Sequence, residues 1–148
     1  MSNKPYKGRR FEIQIATQLS LWWTQDLPEP RDDVYYHTHD SGGRATRRTA
    51  KGKSTKNLYG DICATDPIGQ PLIDLFTIEC KNGYNKYTIA DLLDKPEGAA
   101  LQCYEKWIMK AISDHKAAGS FSWLLITHRN RREPLVLIPH DLSKMLDY

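Results

Sequence analysis

Glu79-Cys80-Lys81 closes the apolar run Leu72-Ile73-Asp74-Leu75-Phe76-Thr77-Ile78, and Asp61 follows Gly60 in an earlier run of strand-forming residues. Side chains alternate faces along a strand, so extended backbone turns Glu79 and Lys81 the same way, roughly 7 Å apart. An acid and a base at the end of a buried strand are costly to desolvate unless something binds there. With Asp61 on a neighbouring strand the two carboxylates converge and make an oxygen-lined site for a hard divalent cation beside an ammonium. That set of groups suits hydrolysis of a phosphodiester, which needs an activated water, neutralised charge in the transition state and help for the leaving oxygen.

Asp61 and Glu79 are the expected ligands for Mg²⁺ (or Mn²⁺), with the backbone carbonyl of Cys80 as a third. Lys81 would orient or deprotonate the attacking water, or stabilise the developing charge. Glu12 precedes Ile15, Ala16 and Leu19 at three, four and seven residues, so it flanks the apolar face of its helix and looks toward the sheet. A third carboxylate suits a second metal or a water-mediated contact; the alternative is an exposed acid paired with Lys7 or Arg9. His37 and His39 share one strand face, but no third and fourth ligand stands at zinc-like spacing, which favours polar strand residues near the site. Cys80 and Cys103 are expected as small buried hydrophobes, and Trp22, Trp23 and Trp107 as packing residues.

Around these residues the chain offers helix over 8–23, where Phe11, Ile15, Leu19 and Trp22 form one stripe, and strands over 34–38, 60–65 and 72–81. Asp66-Pro67-Ile68-Gly69 is turn chemistry and predicts an antiparallel hairpin between the last two strands. A second helix is expected over 97–117, with Leu101, Tyr104, Ile108 and Ile112 buried and Gly119 as its stop. Strands over 121–127 and 135–138 and a short helix over 141–147 complete the order αβββαββα. That order predicts an α/β fold, a mixed sheet with helices on its faces. At 148 residues the chain reads as a single domain over 1–148.

The net charge of +3 conceals two basic segments. Lys4, Lys7, Arg9 and Arg10 crowd the first ten residues, and Arg44, Arg47, Arg48, Lys51, Lys53 and Lys56 follow Ser41-Gly42-Gly43 in a loop at about 40–58 that shows no apolar period. Glycines permit close approach of the backbone, and Lys and Arg supply salt-sensitive contacts to phosphates, so Ser41, Gly42 and these six cations are expected to bind DNA. No apolar run approaches the ~18 residues needed to span a bilayer, so no membrane association is expected. Three widely spaced cysteines do not suggest a disulfide framework, and cytoplasm is the expected location. No motif asks for a small-molecule cofactor.

Asp61, then Glu79-x-Lys81 after a hydrophobic strand, with Glu12 in a preceding helix, resembles the PD-(D/E)XK nuclease superfamily over about residues 8–143. Within it the likeness is to archaeal-type Holliday-junction resolvases and related phage-encoded endonucleases. The resemblance implies a restriction-endonuclease-like αβββαββα core in which Asp61 and Glu79 bind metal, Lys81 is the catalytic lysine and Glu12 assists. It also implies that Ser41 and Gln102 sit near the scissile phosphate, and that a homodimer resolves branched DNA by two symmetric cuts. Three departures stand out: Gly60 occupies the place of the usual proline, Tyr35-Tyr36-His37-Thr38-His39 stands where resolvases tend to carry an arginine, and the loop after Gly43 is longer and more basic. A duplex endonuclease of restriction or phage type, or a non-catalytic DNA-binding module on the same fold, would share much of this pattern.

Overall fold

The computed structural model describes residues 5–38 and 58–145. Within them the chain runs α1 (Pro5–Trp23), β1 (Tyr35–His37), β2 (Ile62–Ala64), a 3₁₀ turn (Pro67–Gly69), α2 (Gln70–Leu75), β3 (Phe76–Asn82), α3 (Ala90–Leu93), α4 (Cys103–Ala118), β4 (Ser122–His128), β5 (Leu135–Leu137) and α5 (His140–Met145). The architecture is α/β. A mixed three-stranded sheet in the order β3-β4-β5 is flanked by helices, and β1 pairs with β2 in a separate antiparallel ribbon. β3 and β4 run parallel, with Glu79 opposite Leu125 and Asn82 opposite His128, and β5 returns antiparallel to β4. Among the described residues no helix is long and apolar enough to cross a membrane.

Alternation along β3 divides the core in two. Ile78 and Cys80 join Phe11, Ile15 and Ala16 of α1, together with Val34, Tyr35 and Ile62. On the opposite face Trp123 and Leu125 of β4 pack on Ala111, Trp107 and Ile108 of α4. The four-residue spacing of Phe11 and Ile15 gives α1 the apolar ridge that the sheet requires. Two buried hydroxyls finish that helix. Ser20 Oγ donates to the Ala16 carbonyl at 2.8 Å and accepts the Tyr35 N–H at 2.9 Å. Thr24 Oγ1 accepts the Arg31 N–H at 2.8 Å as the chain turns back.

Two expected elements differ from the structure. The run from Leu72 is not one strand, and the Asp66–Gly69 turn does not close a hairpin. Asp66 caps the 3₁₀ turn by accepting the Ile68 N–H at 3.0 Å, and Gln70–Leu75 is then helical, with strand beginning only at Phe76. Pro71 lies in the first turn of α2, where a missing N–H costs nothing, and Gln70 bonds Asp74 one turn on at 2.8 Å. The second long helix starts at Cys103 rather than 97, because the chain around Pro96 and Gly98, the latter at φ +72°, is not helical. Leu101 therefore falls outside the helix and is 48% exposed; Tyr104 and Ala111 are the residues α4 buries.

β2 and β3 meet through Asp61, whose N–H donates to the Ile78 carbonyl at 2.7 Å. Gly60 makes that approach possible. It sits at φ +77°, and a Cβ there would lie 2.9 Å from the Ile78 carbonyl oxygen and 3.1 Å from its nitrogen. A side chain would have to push backbone away in a conformation that L-residues disfavour. Gly60→Ala is expected to lower stability by about 1–3 kcal/mol, read from the denaturant midpoint.

Candidate active site

The site wraps the free edge of β3. Asp61 arrives from the turn before β2, and its Oδ2 accepts the Cys80 N–H at 2.8 Å, so a carboxylate takes the place of the next rung of the ladder. Glu79 points to the α4 side of the sheet and is fully buried. Lys81, two residues on and on the same face, curls back over it. Its Nζ stands 3.0 Å from Glu79 Oε2, 3.2 Å from the Cys80 carbonyl oxygen and 3.6 Å from Asp61 Oδ2. Glu12 comes from α1 across the sheet edge, with Oε2 3.9 Å from Nδ1 of buried His37. Glu12, Asp61, Cys80 and Lys81, with Gly8, Asn82, Gly83 and Tyr84, line a cleft of about 530 Å³.

A residue without a sequence signal completes the charge pattern. Lys110 of α4 reaches Glu79 Oε1 at 2.8 Å and Asp114 Oδ2 at 2.5 Å. Glu79 thus lies between two ammonium groups, one per oxygen. Burial pushes its carboxyl up, but Lys81 and then Lys110 outweigh burial and hold it below the usual carboxylate range. Asp61 goes the other way, raised by burial and by the Glu79 charge. Lys81 is disfavoured by burial yet raised by Asp61 and Glu79, so it stands as an ammonium. Glu12 is pushed up to about 7 by burial and then by Asp61. Burial likewise raises the thiols of Cys63, Cys80 and Cys103, which leaves them protonated and poorly nucleophilic.

The donor set fits a small hard cation. Carboxylate and carbonyl oxygens are the ligands such ions take, and Mg²⁺ is held by one or two protein carboxylates while keeping several waters. Among the described residues no group of three or more His, Cys, Asp or Glu is placed to hold one metal ion. The Lys81 ammonium already rests among the same three oxygens, which marks them as a place built for positive charge.

Not every expected residue joins this cluster. Gln102 is the N-cap of α4: its side chain accepts a backbone N–H of the first turn while Glu105 reciprocates, and its Nε2 donates to the Ala100 carbonyl at 3.0 Å. The carboxamide is occupied by capping and does not line the cleft. Ser41, Gly42, Arg44, Arg47, Arg48, Lys51, Lys53 and Lys56, with His39, lie outside the described residues. Trp107 packs against Tyr84 and Tyr104, as expected of a packing residue, whereas Trp22 is 53% exposed.

Comparison with known proteins assigns the class. The family model described as "Phage putative PDDEXK endonuclease" matches residues 3–147, and the chain belongs to that family. Membership indicates a nuclease. No curated protein and no solved structure matches the chain.

Two substitutions test the electrostatics. For an acid whose folded pKa is raised from 4.5 to about 7, the folded state binds the extra proton, so stability is full below about 4.5 and is lost as pH rises through 7. Metal-free Glu12→Gln is therefore expected to match the wild type near pH 4 and to exceed it at pH 8 by up to about 3 kcal/mol in denaturant unfolding with chelator. Lys110→Met leaves buried Glu79 with one counter-charge and is expected to lose about 1–2 kcal/mol, moderated by the solvent around half-exposed Lys110.

Proposed function

We propose that the protein is a Mg²⁺-dependent DNA endonuclease that hydrolyses phosphodiester bonds in branched DNA and acts as a homodimer. The observation that carries the reading is the convergence of Asp61, Glu79 and the Cys80 carbonyl on the Lys81 ammonium, at 3.0–3.6 Å, beside an open cleft. Family membership supports the nuclease part. Branched DNA and the two-fold dimer follow from the likeness to junction resolvases, since paired cuts across a four-way junction call for two sites.

In this reading Asp61, Glu79 and the Cys80 carbonyl would hold the cation, with Glu12 available for a second. The chemistry the cation supplies when bound is charge neutralisation at the phosphate and a more acidic water. The chain's own residues do the rest. Asp61 is held by the backbone of β3, so its carboxylate is set in place before substrate arrives. Lys81 is protonated and has no lone pair to accept a proton; it offers charge to the phosphate oxygens rather than acting as a base. Glu12, balanced near neutrality, is the cleft carboxylate suited to accept a proton from water. Glu79 is fully buried, does not line the cleft and gives Oε2 to Lys81 and Oε1 to Lys110, so as a ligand it would share Oε2 between the ammonium and the cation.

The test is cleavage of four-way junction, flap, single-stranded and linear duplex DNA with Mg²⁺ or Mn²⁺. Wild-type protein is expected to cut the junction, and Asp61→Ala and Lys81→Ala to lose at least about 10²–10³-fold. Cutting confined to linear duplex would replace the resolvase reading with a duplex endonuclease. No cutting of any substrate would leave a DNA-binding module.

A further inference from the structure

A second cavity lies across the ridge of α1 from the catalytic cleft. It is an open depression of about 440 Å³, lined by Arg10, Phe11, Ile13, Gln14, Asn82 and His128. Gly8 and Glu12, one turn apart, face the catalytic cleft; Arg10, Ile13 and Gln14 face this one; Asn82 belongs to both walls. The cavity opens at the carboxyl ends of the parallel strands β3 and β4, where Asn82 and His128 stand opposite each other. In open α/β sheets that edge is where ligands bind.

The lining is ordered. The His128 ring stacks on Phe11, centroids 5.4 Å apart and planes 19° from parallel. His128 Nδ1 lies 2.8 Å from Asn82 Oδ1. A carboxamide oxygen only accepts, so Nδ1 carries the hydrogen in this contact and Nε2 is the ring nitrogen left to meet a ligand. The cavity therefore combines apolar surface from Ile13 and the edge of Phe11, the Nε2 of His128, the Gln14 amide and the Arg10 guanidinium. A nucleotide presents the matching parts: an apolar base face, a hydrogen-bonding base edge and a phosphate. A base stacked and paired within a duplex cannot enter a concavity; one out of the stack can.

We infer that this cavity receives an unpaired nucleotide next to the scissile phosphate, with Arg10 on its phosphate and Gln14 and His128 on its base edge, the His128 ring held in place by Asn82. The inference rests on the endonuclease reading for the word "scissile" and adds a substrate class to it: DNA with an unpaired nucleotide beside the cut. Volume agrees, since ligand pockets of small-molecule size run about 300–1,000 Å³.

The test is fluorescence anisotropy with chelator present, comparing a labelled duplex carrying one unpaired nucleotide with the same duplex perfectly paired. The proteins are wild type, Arg10→Ala, Gln14→Ala, the double variant and His128→Ala. Arg10 and Gln14 are exposed helix residues, so their variants stay informative if His128→Ala misfolds. Wild type is expected to prefer the unpaired DNA at least tenfold, and the double variant to bring that ratio near one. Equal wild-type affinity for both DNAs overturns the inference. So does an equal loss on both DNAs in the double variant, which would make Arg10 a general backbone contact. Adding Mg²⁺ to the same samples separates the two readings: a preference without cutting removes the nuclease and keeps the subsite, and cutting without a preference does the reverse.

Discussion

The fold and the site share one constraint, the way Asp61 terminates two sheets at once. Its carbonyl takes the Thr38 N–H at 2.8 Å, its N–H goes to Ile78, and its carboxylate takes the N–H of Cys80. Buried backbone donors on the edge of β3 must find acceptors. Here a side chain supplies one where another strand would otherwise continue. The ladder thus ends in a carboxylate held by backbone, and the joint between the β1-β2 ribbon and the main sheet is the same object as the acid in the cleft.

The second level of organisation is charge. Fully buried Glu79 would be very costly alone, and a buried ion pair is often no better than an apolar contact. Two ammonium groups on its two oxygens change that balance by compensating it fully, and they reach it from different elements, β3 and α4. The helix on the far face of the sheet is thereby tied electrostatically to a strand it already packs against. Glu12 and Asp61, which lack so close a cation, carry the strain instead and rise above their ordinary values.

Much of this was legible in the chain. The shared face of Glu79 and Lys81 follows from strand alternation, and Glu12, flanking the stripe of α1, lines the same cleft as Asp61 and Lys81. What escaped was set by contacts distant in sequence or by competition between local signals. Leu72–Leu75 is apolar enough for a strand, but the capped turn at Asp66 and the proline at position 71 start a helix first. Gln102 has the residue type for a polar site and is consumed by capping. Lys110 sits on a helix surface where lysines are ordinary, and only the tertiary pairing of α4 with β3 gives it meaning. The Asn82–His128 bond spans 46 residues and depends on parallel register that no local pattern encodes.

The buried hydroxyl of Ser20 has a mechanical consequence. Ridges of apolar side chains repeat along a helix, so a helix lying on a sheet has neighbouring positions, one turn away, of similar energy. A hydrogen bond does not repeat: sliding α1 by a turn would strip the Tyr35 amide of its acceptor in a dry interior, a penalty of about 1–3 kcal/mol. Ser20 thus acts as an index pin. Two turns away, Glu12 inherits the alignment, so the reach of a carboxylate over the sheet edge is governed by a residue that does not line the cleft.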